Sequence, residues 1–162
     1  LVGNTSNPIS NNTISNNTSH GIYLFYSAPD NISGNIISNN PTGIYVQGLA
    51  PQIIDNYIYP KTPGVSYGIY CTSSANPYIY YNKFGSPGGE YWNADVLFCT
   101  GYSPAKLKSP SGSGENEVFG WWSIHILADY SSHVNGNDGY NCFPWPDLLH
   151  IYAKNYSHVQ VK

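Results

Sequence analysis

The chain contains no Arg and no Met, and only 9% of its residues are charged. Six Lys against nine Asp and Glu leave a net charge of −3 without a basic cluster, which excludes nucleic acid and anionic membrane surfaces as partners. No apolar run is long enough to span a bilayer, so no membrane span is expected. Cysteine is scarce: Cys71, Cys99 and Cys142 have no metal-site spacing, and neither a metal nor another cofactor is expected. Helical periodicity is missing as well. Apolar residues alternate over short stretches and are then interrupted by Asn, Ser, Gly and Pro, which is a strand period with turns between. The chain opens on Leu1-Val2-Gly3-Asn4 with neither Met nor signal peptide, as expected for a mature or excised segment of a secreted, extracellular or cell-surface protein.

What the chain has instead is repetition. Residues 114–134 recur 25 positions later as residues 139–159, keeping Gly, Asn, His, Ile, Ala, Ser, His and Val in step. Eight matches in 21 positions mark stacked copies of one unit. Shorter copies run back through Gly21-Ile22-Tyr23, Gly43-Ile44-Tyr45 and Gly68-Ile69-Tyr70. A second series leads from Pro8, Pro29, Pro51 and Pro77 into Ile9, Ile32, Ile53 and Ile79. A third places Asn12, Asn35, Asn56, Asn82, Asn116 and Asn141 two residues before Ile14, Ile37, Ile58, Phe84, Val118 and Phe143. Three short strands and their turns fill one such unit, and it can hydrogen-bond only to the coils above and below it. The pattern predicts an all-β fold: a single-stranded right-handed parallel β-helix of roughly six coils, with like positions about 4.8 Å apart. One domain is expected over residues 1–162, with short coils over 1–84, loop insertions over 85–113 and the two long repeats over 114–162. Its ends carry no cap helix, so the chain is expected either to be cut from a longer solenoid or to self-associate head to tail.

The Asn-x-Ile, Gly-Ile-Tyr and Pro-x-Ile spacings resemble those of right-handed parallel β-helix repeat proteins of the pectate-lyase-like superfamily, including NosD-like repeats of secreted proteins. The resemblance covers nearly the whole chain and implies the fold. That superfamily holds lyases, hydrolases, adhesins and surface proteins, so the fold alone implies no single activity. Its lyases use an Arg or Lys base beside calcium-holding Asp residues and its hydrolases use grouped Asp residues. This chain has no Arg and no clustered Asp pair, so catalysis is disfavoured.

Register then assigns side chains to columns. In the Gly-Ile-Tyr strands Ile22, Ile44, Ile69, Val96, Ile126 and Ile151 are expected inward, with Leu24, Val46, Cys71, Phe98, Ala128 and Ala153. Tyr23, Tyr45, Tyr70, Leu97, Leu127 and Tyr152 then face out, and the tyrosines form an aromatic strip on which sugar rings or another protein surface can pack. The alternative is a ladder that only stabilises its sheet. Tyr57, Tyr59, Tyr78 and Tyr80 face out on the other strands. One position earlier, Asp95, His125 and His150 align as a carboxylate beside two imidazoles, which suits acid–base chemistry, metal binding or a solvated polar ladder. His133 and His158 form a second outward pair. Cys71 and Cys99 fall on adjacent coils, either as a disulfide or as two small apolar side chains at the core. Tyr91 and Trp92 belong to the loop insertions, the best candidates for a groove wall. Asn4, Asn11, Asn16, Asn17, Asn31 and Asn155 begin glycosylation sequons, although such Asn residues also fill turns.

Three functions fit this reading. The first is a noncatalytic secreted or surface β-helix that binds polysaccharide or a cell-surface component through Tyr23, Tyr45, Tyr70, Tyr91 and Trp92. The second is a structural subunit that assembles head to tail into a filament. The third is a carbohydrate-active lyase or hydrolase using Asp95, His125 or His150.

Overall fold

The computed structural model describes residues 2–3, 7–26, 29–59, 66–85, 95–107, 116–118, 124–136 and 149–160. These form a parallel β-helix, and three sheets run along its axis. The first sheet stacks Val2–Gly3, His20–Phe25, Thr42–Gln47, Tyr67–Thr72, Asp95–Cys99, Ile124–Ala128 and Leu149–Ala153. The second stacks Ile9–Ser10, Asn31–Ser33, Gln52–Ile54, Tyr78–Tyr80, Pro104–Leu107, His133–Gly136 and His158–Gln160. The third stacks Thr13–Ser15, Ile36–Ser38, Tyr57–Tyr59, Lys83–Phe84 and Glu117–Val118. Sheets of seven, seven and five strands differ slightly from the six coils expected.

Each sheet sends one side of its strands inward, because successive side chains alternate across a pleat. Ile9, Ile32, Ile53 and Ile79 stack from the second sheet, and Ile37, Ile58 and Phe84 from the third. Ile22, Ile44 and Ile69 stack from the first, with Leu24, Val46 and Cys71 beside them. Full burial of each isoleucine contributes on the order of 1.5–3 kcal/mol. The expected inward columns hold through these coils.

They shift at the Asp95–Cys99 strand. Leu97 pairs with Ile69 on one side and Ile126 on the other, Phe98 pairs with Tyr70, and Cys99 pairs with Cys71. Leu97 is therefore buried where it was expected outward, and Phe98 is half-buried on the outer face where it was expected inward. The cause is a bulge. Gly21, Gly43 and Gly68 are buried extra residues in their strands, each beside another buried residue. A Cβ on Gly43 would stand 2.6 Å from the Gly68 carbonyl oxygen and 2.6 Å from Ile58 Cγ2, so only glycine fits there. Val96 takes this position in the fourth copy. The strand that follows lacks the extra residue, and the register shifts between Asp95 and Leu97.

The turn between second and third sheets carries a ladder of buried amides. Asn35, Asn56, Asn82 and Asn116 each receive a backbone N–H from the Asn one coil earlier, donated by Asn12, Asn35, Asn56 and Asn82. The Asn56 side-chain Nδ2 donates to the Ile32 and Ile54 carbonyls and to Asn82 Oδ1, so buried backbone that faces no strand is satisfied.

Candidate functional site

The outer face of the first sheet is a continuous aromatic surface. Because the bulge glycines keep register, Tyr23, Tyr45 and Tyr70 fall in one column and stack with ring centroids 5.1 Å apart at each step, inclined by 20° and 14°. Phe98 extends the column by meeting Tyr70 edge-on at 4.8 Å. Tyr67 stacks on Phe98 at 5.5 Å and Phe25 on Tyr23 at 6.2 Å. His20 lies against Tyr45 at 4.9 Å and Tyr23 at 5.3 Å, while Ser19 Oγ sits 2.8 Å from its Nδ1. Each aromatic pair contributes about 0.5–1.5 kcal/mol beyond its buried area. The stacked faces cover one another, so the column offers mainly ring edges and hydroxyls to solvent.

These contacts shape the site's electrostatics. Burial pushes the Tyr45 and Tyr70 phenols above their ordinary range, and neighbouring tyrosines push further in the same direction. Burial also holds the His20 imidazole below its ordinary value, which favours the neutral ring. At neutral pH the phenols stay protonated and the imidazole favours its neutral form, so these rings themselves bring no charge to the patch.

The structure brings other expected residues together to different degrees. Backbone register pairs Asp95 with His125 and His125 with His150, so these stand on consecutive strands. The same column continues through Tyr67 and Thr42 to His20. Cys71 and Cys99 are direct register partners, but both are free thiols, fully buried in an apolar column, rather than a disulfide. Burial drives the Cys71 thiol well upward, and a hydrogen bond with Cys99 adds to that shift. Among the sequons, Asn11, Asn16, Asn17 and Asn155 are exposed and Asn31 is half-buried. Asn17 Nδ2 already donates to Asn40 Oδ1 at 2.9 Å and Asn155 Nδ2 to Asp129 Oδ1 at 2.6 Å. Asn11 and Asn16 have φ of 57° and 59°, in keeping with turn-filling roles. Tyr91, Trp92 and Asn4 lie outside the described residues. Tyr57, Tyr59 and Tyr78 are half-buried, whereas Tyr80 is covered, with its hydroxyl donating to Gln52 Oε1 at 2.6 Å.

One feature the sequence analysis missed is a cleft of about 420 Å³ lined by Ile54, Asp55, Tyr81, Lys83 and Glu117. Lys83 Nζ lies 3.6 Å from Glu117 Oε2 across adjacent third-sheet strands. The signal was present: Lys83 and Glu117 each follow a ladder asparagine, Asn82 and Asn116.

The family model described as periplasmic copper-binding protein (NosD) matches residues 1–95. No curated protein and no solved structure matches the chain. Among the described residues no helix is long and apolar enough to cross a membrane. Copper favours imidazole, thiolate and thioether ligands. The matched segment holds one His, one Cys and no Met. His20 packs against two tyrosines on the outer face, and Cys71 is buried inside, two strands away in the first sheet. These residues do not converge, so the matched segment does not fit a copper site. The match nonetheless covers more than half of the sequence and agrees with the parallel coils described above: the chain belongs to the NosD family of β-helix proteins.

Proposed function

We propose that this chain is a noncatalytic secreted or periplasmic β-helix protein that binds polysaccharide through the aromatic face of its first sheet. The observation that carries this reading is the unbroken contact of Tyr23, Tyr45, Tyr70 and Phe98 over four successive strands. Coil spacing of about 4.8 Å is close to the advance of one pyranose along an extended glycan, so successive sugars meet equivalent hydroxyl edges. The partly buried rings are held rigid by their neighbours, which lowers the entropy lost on binding. A weakly charged ligand suits the site, because His20 favours its neutral form and the phenols stay protonated.

The test is a glycan array followed by polysaccharide pull-down with the full chain and with Tyr45→Ala/Tyr70→Ala. Loss of roughly 2 kcal/mol or more, about 30-fold in affinity, is expected if these rings are central contacts. A glycan hit retained in full by a folded double variant would remove the proposed site.

A further inference from the structure

We propose that His133 and His158 form a two-imidazole binding site for a divalent transition-metal ion, bridging the last two described strands of the second sheet. Register pairs the two residues directly, and both side chains are exposed. Their ring centroids are 6.2 Å apart, with planes inclined by 46°. A metal about 2.0–2.1 Å from one nitrogen of each ring holds two imidazole centroids at most roughly 6 Å apart, so the pair already stands at the outer limit of a shared ion. A small rotation of two exposed rings closes the remaining distance, and no backbone movement is needed.

The surroundings favour a cation. The residue in register on the other side of His133 is Pro104, which brings neither charge nor hydrogen-bond donor to the pair. The nearest lysine of that strand, Lys106, is drawn off toward the preceding coil, where its Nζ lies 4.3 Å from the Tyr78 ring centroid. Among the described residues no group of three or more His, Cys, Asp or Glu gathers, so water completes the coordination shell. Imidazole is a ligand for copper, nickel and zinc and a poor one for calcium or magnesium, and affinity rises toward Cu²⁺ in the divalent series. The pair lies outside residues 1–95 and is independent of the aromatic face.

The experiment titrates Cu²⁺, Ni²⁺, Zn²⁺ and Ca²⁺ into the full chain in a non-coordinating buffer, reading heat by calorimetry and nitrogen coordination of Cu²⁺ by electron paramagnetic resonance. One Cu²⁺ with two nitrogen ligands is expected, with weaker Ni²⁺ and Zn²⁺ binding and none of Ca²⁺. His133→Ala or His158→Ala should each weaken Cu²⁺ binding about 100-fold or more, as expected when one arm of a chelate is removed, and leave one nitrogen in the spectrum. His20→Ala should leave both readouts unchanged. Both substituted rings are exposed, and circular dichroism verifies that each variant is folded. A two-nitrogen signal that persists in His133→Ala/His158→Ala, or absence of any Cu²⁺ binding by the unaltered chain, overturns the proposal.

Discussion

Tyr45 and Tyr70 in the first-sheet ladder each have an aromatic neighbour on either side, and their phenols are harder to ionise than solvated ones. Burial is the larger cause at Tyr45 and Tyr70, and adjacent tyrosines add to it because a phenolate in one ring opposes a phenolate in the next. The sign follows directly. The unfolded chain gives up its phenolic protons near the ordinary value of 10.0, before the folded ladder does. Stability is therefore intact below that pH and falls as pH rises from there through the folded values. An alkaline absorbance titration should resolve a late group of tyrosines, and Tyr45→Phe should move Tyr70 back toward 10.0 by removing a neighbouring charge. A single transition at the ordinary value, unaffected by that substitution, would contradict the stacked ladder.

Single turns and strands depend on side chains that do the work of backbone. Asn56 is almost fully buried and makes hydrogen bonds to Ile32, Ile54, Asn35 and Asn82. Asn56→Ala leaves several of these groups unpaired, at about 1–3 kcal/mol for each. Gly43→Ala acts through space instead: its Cβ would meet backbone at 2.6 Å, and overpacking of this kind costs about 1–3 kcal/mol or more. Urea melts should show both variants destabilised by at least about 2 kcal/mol, with an exposed control of ordinary backbone conformation such as Thr18→Ala within roughly 0.5 kcal/mol. The same two positions show what was legible in sequence. The spacing of Gly-Ile-Tyr and Asn-x-Ile revealed the coils, because a period-two pattern and a fixed repeat length leave few other folds. Their physical roles did not follow, since a bulge glycine and a ladder asparagine are made necessary by neighbours one coil away. Leu97 and Phe98 were misphased for a related reason, whereas Val96 is buried as expected. A continuous apolar run permits either face inward, and the bulge at Val96 decides which. The His133–His158 pairing was visible in the repeat, and Lys83 and Glu117 each follow a ladder asparagine, but their ion pair depends on two exposed side chains reaching one another across adjacent strands.

Across the whole molecule, each coil rests on the coil before and after it, so coupling travels along the axis through nearest neighbours. This architecture explains why the aromatic face and the histidine pair can be altered separately. They occupy different sheets, and the histidines lie on strands beyond the Tyr23–Phe98 column. It also predicts how damage spreads. Ile44 is fully buried between Ile22 and Ile69, and Ile44→Ala should cost about 2–5 kcal/mol through lost transfer energy and the cavity left behind. In a compact two-state domain that loss would be felt equally by every protected amide. In stacked coils it should be local: hydrogen exchange should accelerate most in His20–Phe25, Thr42–Gln47 and Tyr67–Thr72, and least in His158–Gln160. Equal acceleration at all strands would mean that the solenoid unfolds as one cooperative unit, and separate behaviour of the two surfaces would then no longer be expected.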